Sequence, residues 1–118
     1  MAAPHPDKIA LHLKSRTLEL VYAGVSYQLP AEFLRVHSPS AEVRGHGRGQ
    51  EKLQTGKRHV ALTGVEPSGH YALKLIFDDG HDSGLYDWGY LYDLAVNQAQ
   101  YWQRYLGQLD AQGGSRDH

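Results

Sequence analysis

Phe77-Asp78-Asp79-Gly80-His81-Asp82-Ser83-Gly84-Leu85-Tyr86 follows directly on an apolar run, Tyr71 to Ile76. An Asp-Gly pair between two strand-like runs is a strong hairpin signal, because a tight two-residue turn needs positive φ at both central positions. With Asp79 and Gly80 as the loop residues, Asp78 and His81 face each other across the strands, their Cβ atoms roughly 5 Å apart. The turn therefore sets a carboxylate and an imidazole on one face at the mouth of a hairpin. A metal ion, a polar ligand or a salt bridge fits such a place.

Upstream of the hairpin, His59 to Val65 reads as a strand, Pro67-Ser68-Gly69 as a turn, and His70 to Phe77 as the strand entering the hairpin. Nearer the N-terminus, Ile9, Leu11 and Leu13 alternate with Ala10 and His12, and Leu18 to Tyr22 makes a second strand. Ala23-Gly24 turns the chain into Val25 to Leu29. Pro30 has no N–H to donate, so it ends that ladder and opens a short helical turn over Ala31 to Val36. The chain echoes itself here: Leu18 to Tyr22, glycine turn, strand, Phe33-Leu34 resembles Leu73 to Phe77, glycine turn, strand, Tyr90-Leu91. Trp88, Leu91, Ala95, Ala99, Trp102, Leu106 and Leu109 recur at helical spacing and predict one amphipathic helix of roughly five to six turns.

The predicted class is α+β, a small antiparallel sheet built from hairpins with a long C-terminal helix packed on one face. Residues 1–8 read as a flexible N-terminus, 9–109 as a single domain and 110–118 as a loose tail.

Composition narrows the function classes. The 118 residues are 41% hydrophobic and 21% charged, with a formal charge of -1, so no global field draws the chain to nucleic acid or an anionic membrane. The absence of cysteine removes disulfides, thiolate zinc sites and cysteine nucleophiles. No apolar run approaches the roughly 18 residues needed to span a bilayer, and Met1 to Asp7 does not resemble a leader, so a cytoplasmic location is expected.

Two clusters carry chemistry. Imidazole with carboxylates is a usual ligand set for zinc, iron(II) or manganese, which makes His81, Asp78 and Asp82, with His46, the candidate site for a divalent metal. The plainer alternative is a turn with a salt bridge. The second cluster is the stretch from His37 to Lys57, about twenty residues without periodicity, a length that is usually functional or disordered. Its glycines allow close backbone approach, and Arg44, His46 and Arg48 suit an anion, although no phosphate-binding fingerprint is present. A plain surface loop is the competing reading. Among the late aromatics, Trp88 and Trp102 read as core, while Tyr90, Tyr101 and Tyr105 stand between core and interface. A serine hydrolase is excluded by the lack of a G-x-S-x-G elbow.

Leu-Arg-x-x-Ser-Pro-Ser-Ala-Glu-Val from Leu34 to Val43, Gly45-His46-Gly47 and Phe77-Asp78-Asp79-Gly80-His81 resemble the domain of unknown function 971 family, related to the N-terminal domain of gamma-butyrobetaine hydroxylase. The resemblance covers roughly Ile9 to Tyr105 and implies a small α+β domain. In the hydroxylase it implies a structural zinc held by three cysteines and a histidine, which fall here on Ser38, Ser40, Val43 and His81. Hydroxyls and an aliphatic side chain cannot replace thiolates around zinc. The resemblance also implies that the iron and 2-oxoglutarate chemistry belongs to a separate, larger domain with no counterpart in this chain. The family's fusion to Mrp-type P-loop ATPases links it to iron–sulfur metabolism.

The leading expectation is a non-catalytic accessory domain that binds a protein partner. Its expected surface comprises Arg35, His37, Ser38, Ser40, Glu42, Arg44, Gly45, His46 and Gly47. A metal-binding protein using His81, or a small enzyme acting on a polar metabolite, are the alternatives.

Overall fold

A computed structural model describes residues 4–44 and 52–118. Strands β1 (Lys8–His12), β2 (Thr17–Tyr22) and β3 (Val25–Pro30) form one antiparallel meander. Helices α1 (Ala31–Val36) and α2 (Ala41–Arg44) follow it. Strands β4 (Leu62–Ser68), β5 (Ala72–Phe77) and β6 (Leu85–Asp87) form a second meander, and α3 (Trp88–Val96) and α4 (Gln98–Gln112) complete the chain. The α+β class holds, with the strands divided between two sheets. The internal echo is visible in space, since each meander runs directly into a helix.

Period-two alternation explains the buried faces. Leu18, Leu20 and Tyr22 on β2 and Leu73, Leu75 and Phe77 on β5 are buried, with Ala72 on β5 and Leu29 on β3. Phe33 and Leu34 from α1, Tyr86 from β6, and Leu91 and Leu94 from α3 join them in one core. Helix α3 touches both β3 and β6, so it lies across the seam between the sheets. Among the described residues no helix is long and apolar enough to cross a membrane.

Three local expectations are corrected. The Asp79-Gly80 pair does not make a two-residue turn: Gly80 alone has positive φ (86°), its N–H reaches the Phe77 carbonyl at 3.3 Å, and the Phe77 N–H reaches the His81 carbonyl at 3.0 Å. A three-residue loop with one left-handed glycine also fits strand twist, and it places Phe77, not Asp78, opposite His81. Asp78 is turned toward the segment before β4, where its N–H donates to the Ala61 carbonyl at 2.9 Å and its Oδ1 accepts the Ala61 N–H at 3.0 Å. The tight geometry occurs instead at Ala23-Gly24, with φ of 49° and 83°.

The single long helix is bent into two at Asn97. The Asn97 side chain donates to Asp93 Oδ1 at 2.8 Å, and Tyr101 OH donates to Asp93 Oδ2 at 2.6 Å. Asparagine side chains compete for local hydrogen bonds and so favour helix ends over interiors, a cost that hydrophobic periodicity does not register.

The expected loose tail is docked. Helix α4 ends at Gly113 (φ 68°), and beyond it the Gly56 and Arg58 N–H groups donate to the Ser115 and Arg116 carbonyls at 2.9 and 3.0 Å. The Arg116 guanidinium grips both oxygens of Glu32 at 2.8 and 2.7 Å and lies 5.1 Å from the centre of the Trp102 ring. Glycine-rich composition hides this, because the anchor is one arginine whose partner lies 84 residues away.

Candidate functional site

The two motifs singled out in the sequence meet in space. Pro39 and a backbone bond from Ser38 N–H to the Arg35 carbonyl (3.3 Å) bend the chain sharply after α1. That bend aims the serines at the segment between β5 and β6. Ser38 Oγ lies 2.7 Å from His81 Nε2, and both residues are buried, at 1% and 5% exposure. The Ser40 N–H donates to Ser38 Oγ at 3.2 Å, and the Ser40 hydroxyl meets that of Ser83 at 2.7 Å. Gly84 closes over the pair so tightly that a Cβ there would sit 2.5 Å from Ser38 Oγ.

Beside this contact, Asp79 gathers charge. Its Oδ2 accepts from Arg35 Nε at 2.9 Å and from Lys57 Nζ at 2.7 Å, and its Oδ1 accepts the His81 N–H at 3.2 Å. Arg35 also donates to Gln54 Oε1 at 3.2 Å. Burial acts to raise the Asp79 pKa, but bonds from Lys57, the His81 N–H and Arg35 outweigh it and hold the carboxyl at about 2. A third layer is formed by tyrosines: Tyr86 OH donates to the Leu34 carbonyl and Tyr90 OH to the His37 carbonyl, both at 2.5 Å. The His37 ring lies tilted against Phe33, and its Nδ1 lies 2.8 Å from the Phe33 carbonyl. Burial, aided by the charge of Arg104, pushes the His37 pKa down against that hydrogen bond.

The residues expected to bind metal are not brought together. His81 is buried on Ser38, Asp78 binds Ala61 N–H, Asp82 is exposed, and His46 lies outside the described residues. Among the described residues, no group of three or more histidines and carboxylates converges. The zinc that the family resemblance implies does not fit the matching positions. Two donors of a tetrahedral zinc with bonds of about 2.1 Å stand about 3.4 Å apart. Ser38 and His81 instead share a 2.7 Å hydrogen bond, and Val43 offers no donor atom. The Ser38 and His81 positions still meet, joined by a hydrogen bond.

Of the residues expected to face a partner, Arg35, Ser38 and Ser40 are buried, while His37 is half-buried. Gly45, His46 and Gly47 lie outside the described residues, as do the side chains of Glu42 and Arg44. Lys57, Gln54 and Tyr86 also belong to the assembly. No spacing in the sequence points to them, because each acts across a long separation. Ser38 with His81 has the atoms of a nucleophile–base pair. Its hydroxyl already accepts the Ser40 N–H and lies against Gly84, contacts that fix it in place.

The overall fold recurs in known proteins. The model of the family described as gamma-butyrobetaine hydroxylase-like, N-terminal, matches residues 9–92. A protein structure determined by NMR in solution is 59% identical, with a TM-score of 0.87, covering 98% of this chain and 92% of that one. A second solution structure is 49% identical, with a TM-score of 0.80, covering 96% of this chain and 85% of that one. A crystal structure of a protein of unknown function from Acidithiobacillus ferrooxidans, of the DUF971 family, is 38% identical with a TM-score of 0.64. It covers 77% of this chain and 92% of that one. No curated protein gives a significant match.

Proposed function

The chain belongs to the gamma-butyrobetaine hydroxylase-like N-terminal family, and on that premise we propose that it is a non-catalytic, cytoplasmic accessory domain that binds a protein partner in metal or iron–sulfur metabolism. One observation carries the reading. Arg35, Ser38 and Ser40, which resemble family motif residues, are spent on internal bonds to Asp79, His81 and Ser83. Those bonds rigidify a surface and leave no reactive group at its centre. Around the buried contact, Asp78, Asp79, Gly80, Asp82 and Ser83 form an exposed, carboxylate-rich rim. Such a rim suits a basic patch on a partner. The link to metal and iron–sulfur metabolism rests on the family's fusions with Mrp-type ATPases.

The test is affinity capture from the native lysate with the wild-type protein and with Asp82→Lys, at the exposed rim carboxylate that makes no internal bond among those described. A specific protein captured by the wild type and lost with the variant, whose melting temperature stays near wild type, supports the reading. Equal capture by both, or none by either, removes it.

A further inference from the structure

A cavity of about 470 Å³ opens between the segment after α1, residues 52–54 and α4. The volume falls within the roughly 300–1,000 Å³ of small-molecule sites. Val36, Leu53 and Tyr105 give it apolar walls, and Lys52 and Arg104 give it charge. No carboxylate occurs in its described lining, and among the described residues neither cation has a carboxylate partner. In a chain of formal charge -1, a cavity whose described lining carries two cations and no anion is a local departure that favours an anionic ligand.

Arg104 is also held in place. Its guanidinium carbon stands 4.7 Å from the centre of the Tyr101 ring, and Tyr101 is fixed in turn by its 2.6 Å bond to Asp93. A guanidinium already positioned loses little side-chain freedom on binding, and its planar fork matches a carboxylate. His37 lines the same cavity, where burial disfavours its protonation, so it adds shape and not charge.

We infer that this cavity binds a carboxylate with an apolar body. Arg104 takes the carboxylate, Lys52 strengthens the attraction, and Val36, Leu53 and Tyr105 cover the apolar part. The inference goes beyond the partner reading, since Arg104 on α4 and Lys52 before β4 are not residues of the carboxylate rim. Either can fail without the other.

Amide chemical shifts of the full chain, followed on titration with sodium benzoate, test it. Benzamide serves as the neutral isostere, sodium sulfate as the plain anion, and N-acetyl-Gly-Phe as a carboxylate ending a peptide. Benzoate is expected to move the amides of Leu53, Gln54 and Arg104 to Gln108 saturably. Binding should weaken about tenfold or more in Arg104→Gln, and by the same margin for benzamide. Arg104 is exposed, so the variant keeps its fold and wild-type melting temperature. Tighter binding of the peptide acid names a chain terminus as the carboxylate's source, and tighter benzoate names a free acid; both support the site. Unsaturable benzoate shifts, equal shifts from benzamide or sulfate, or unchanged affinity in Arg104→Gln would overturn it.

Discussion

Arg35, on α1, and Asp79, in the turn after β5, form a 2.9 Å ion pair across 44 residues of sequence, with only 9% and 23% of their side chains exposed. Asp79 is therefore a stability element with a definite pH signature. A folded-state pKa of about 2 against an ordinary 3.8 means its contribution is complete above about pH 4 and is lost as the pH falls toward 2. After allowance for solvent screening, that contribution is about 1 kcal/mol. Asp79→Asn should lose it at pH 7 and show a flatter acid limb, measured by denaturant unfolding at several pH values.

Ser38 and Gly84 should be coupled. Ser38→Ala removes the hydroxyl that meets the buried His81 Nε2, at a cost of about 1–2 kcal/mol. Gly84→Ala drives a methyl group to 2.5 Å from Ser38 Oγ and should cost about 1–3 kcal/mol. Removing the hydroxyl makes room for that methyl, so the double variant should be more stable than the sum of the single losses predicts. Additive losses in a thermal double-mutant cycle would contradict the enclosed geometry. The unfitted zinc has a matching consequence: a chelator should leave the wild-type melting temperature unchanged.

His37 acts with the same sign at higher pH. Its folded-state pKa lies below the ordinary 6.5, so the unfolded chain binds the proton more readily. Stability is full above about pH 6.5 and declines as the pH falls from there to the folded-state value. His37→Phe should flatten the stability curve between neutrality and mild acid. Unfolding midpoints at pH 7.5 and pH 5 will show whether it does.

Arg116 should act as a latch for the C-terminal segment. Arg116→Ala strands the buried Glu32 carboxylate and should cost about 1–2 kcal/mol, allowing for the 29% exposure of the Arg116 side chain. Faster hydrogen exchange at the Gly56 and Arg58 amides, which bind the Ser115 and Arg116 carbonyls, is the local readout.

The elements that local patterning writes into sequence were legible: the alternation of Leu18, Leu20 and Tyr22, the start of α1 after Pro30, and the echo between the two halves. The division into two sheets was not, because pairing depends on which strands share a core and no strand records that alone. The elbow at Asn97 and the docked tail escaped for a related reason: each is settled by a few polar bonds against a weak hydrophobic signal. At the site, the motifs were visible as motifs. That Arg35 answers Asp79 and Ser38 answers His81 was not, since hydrogen-bond partners across more than forty residues leave no spacing to read.

The bonds Arg35–Asp79, Ser38–His81 and Ser40–Ser83 span 44, 43 and 43 residues, a nearly constant offset between the two halves. Loop-closure entropy penalises such contacts until both meanders exist, so they form late along the folding route. Their loss should leave the rate of folding almost untouched and speed unfolding. The seam between the halves thus governs how long the folded molecule survives more than how fast it is made.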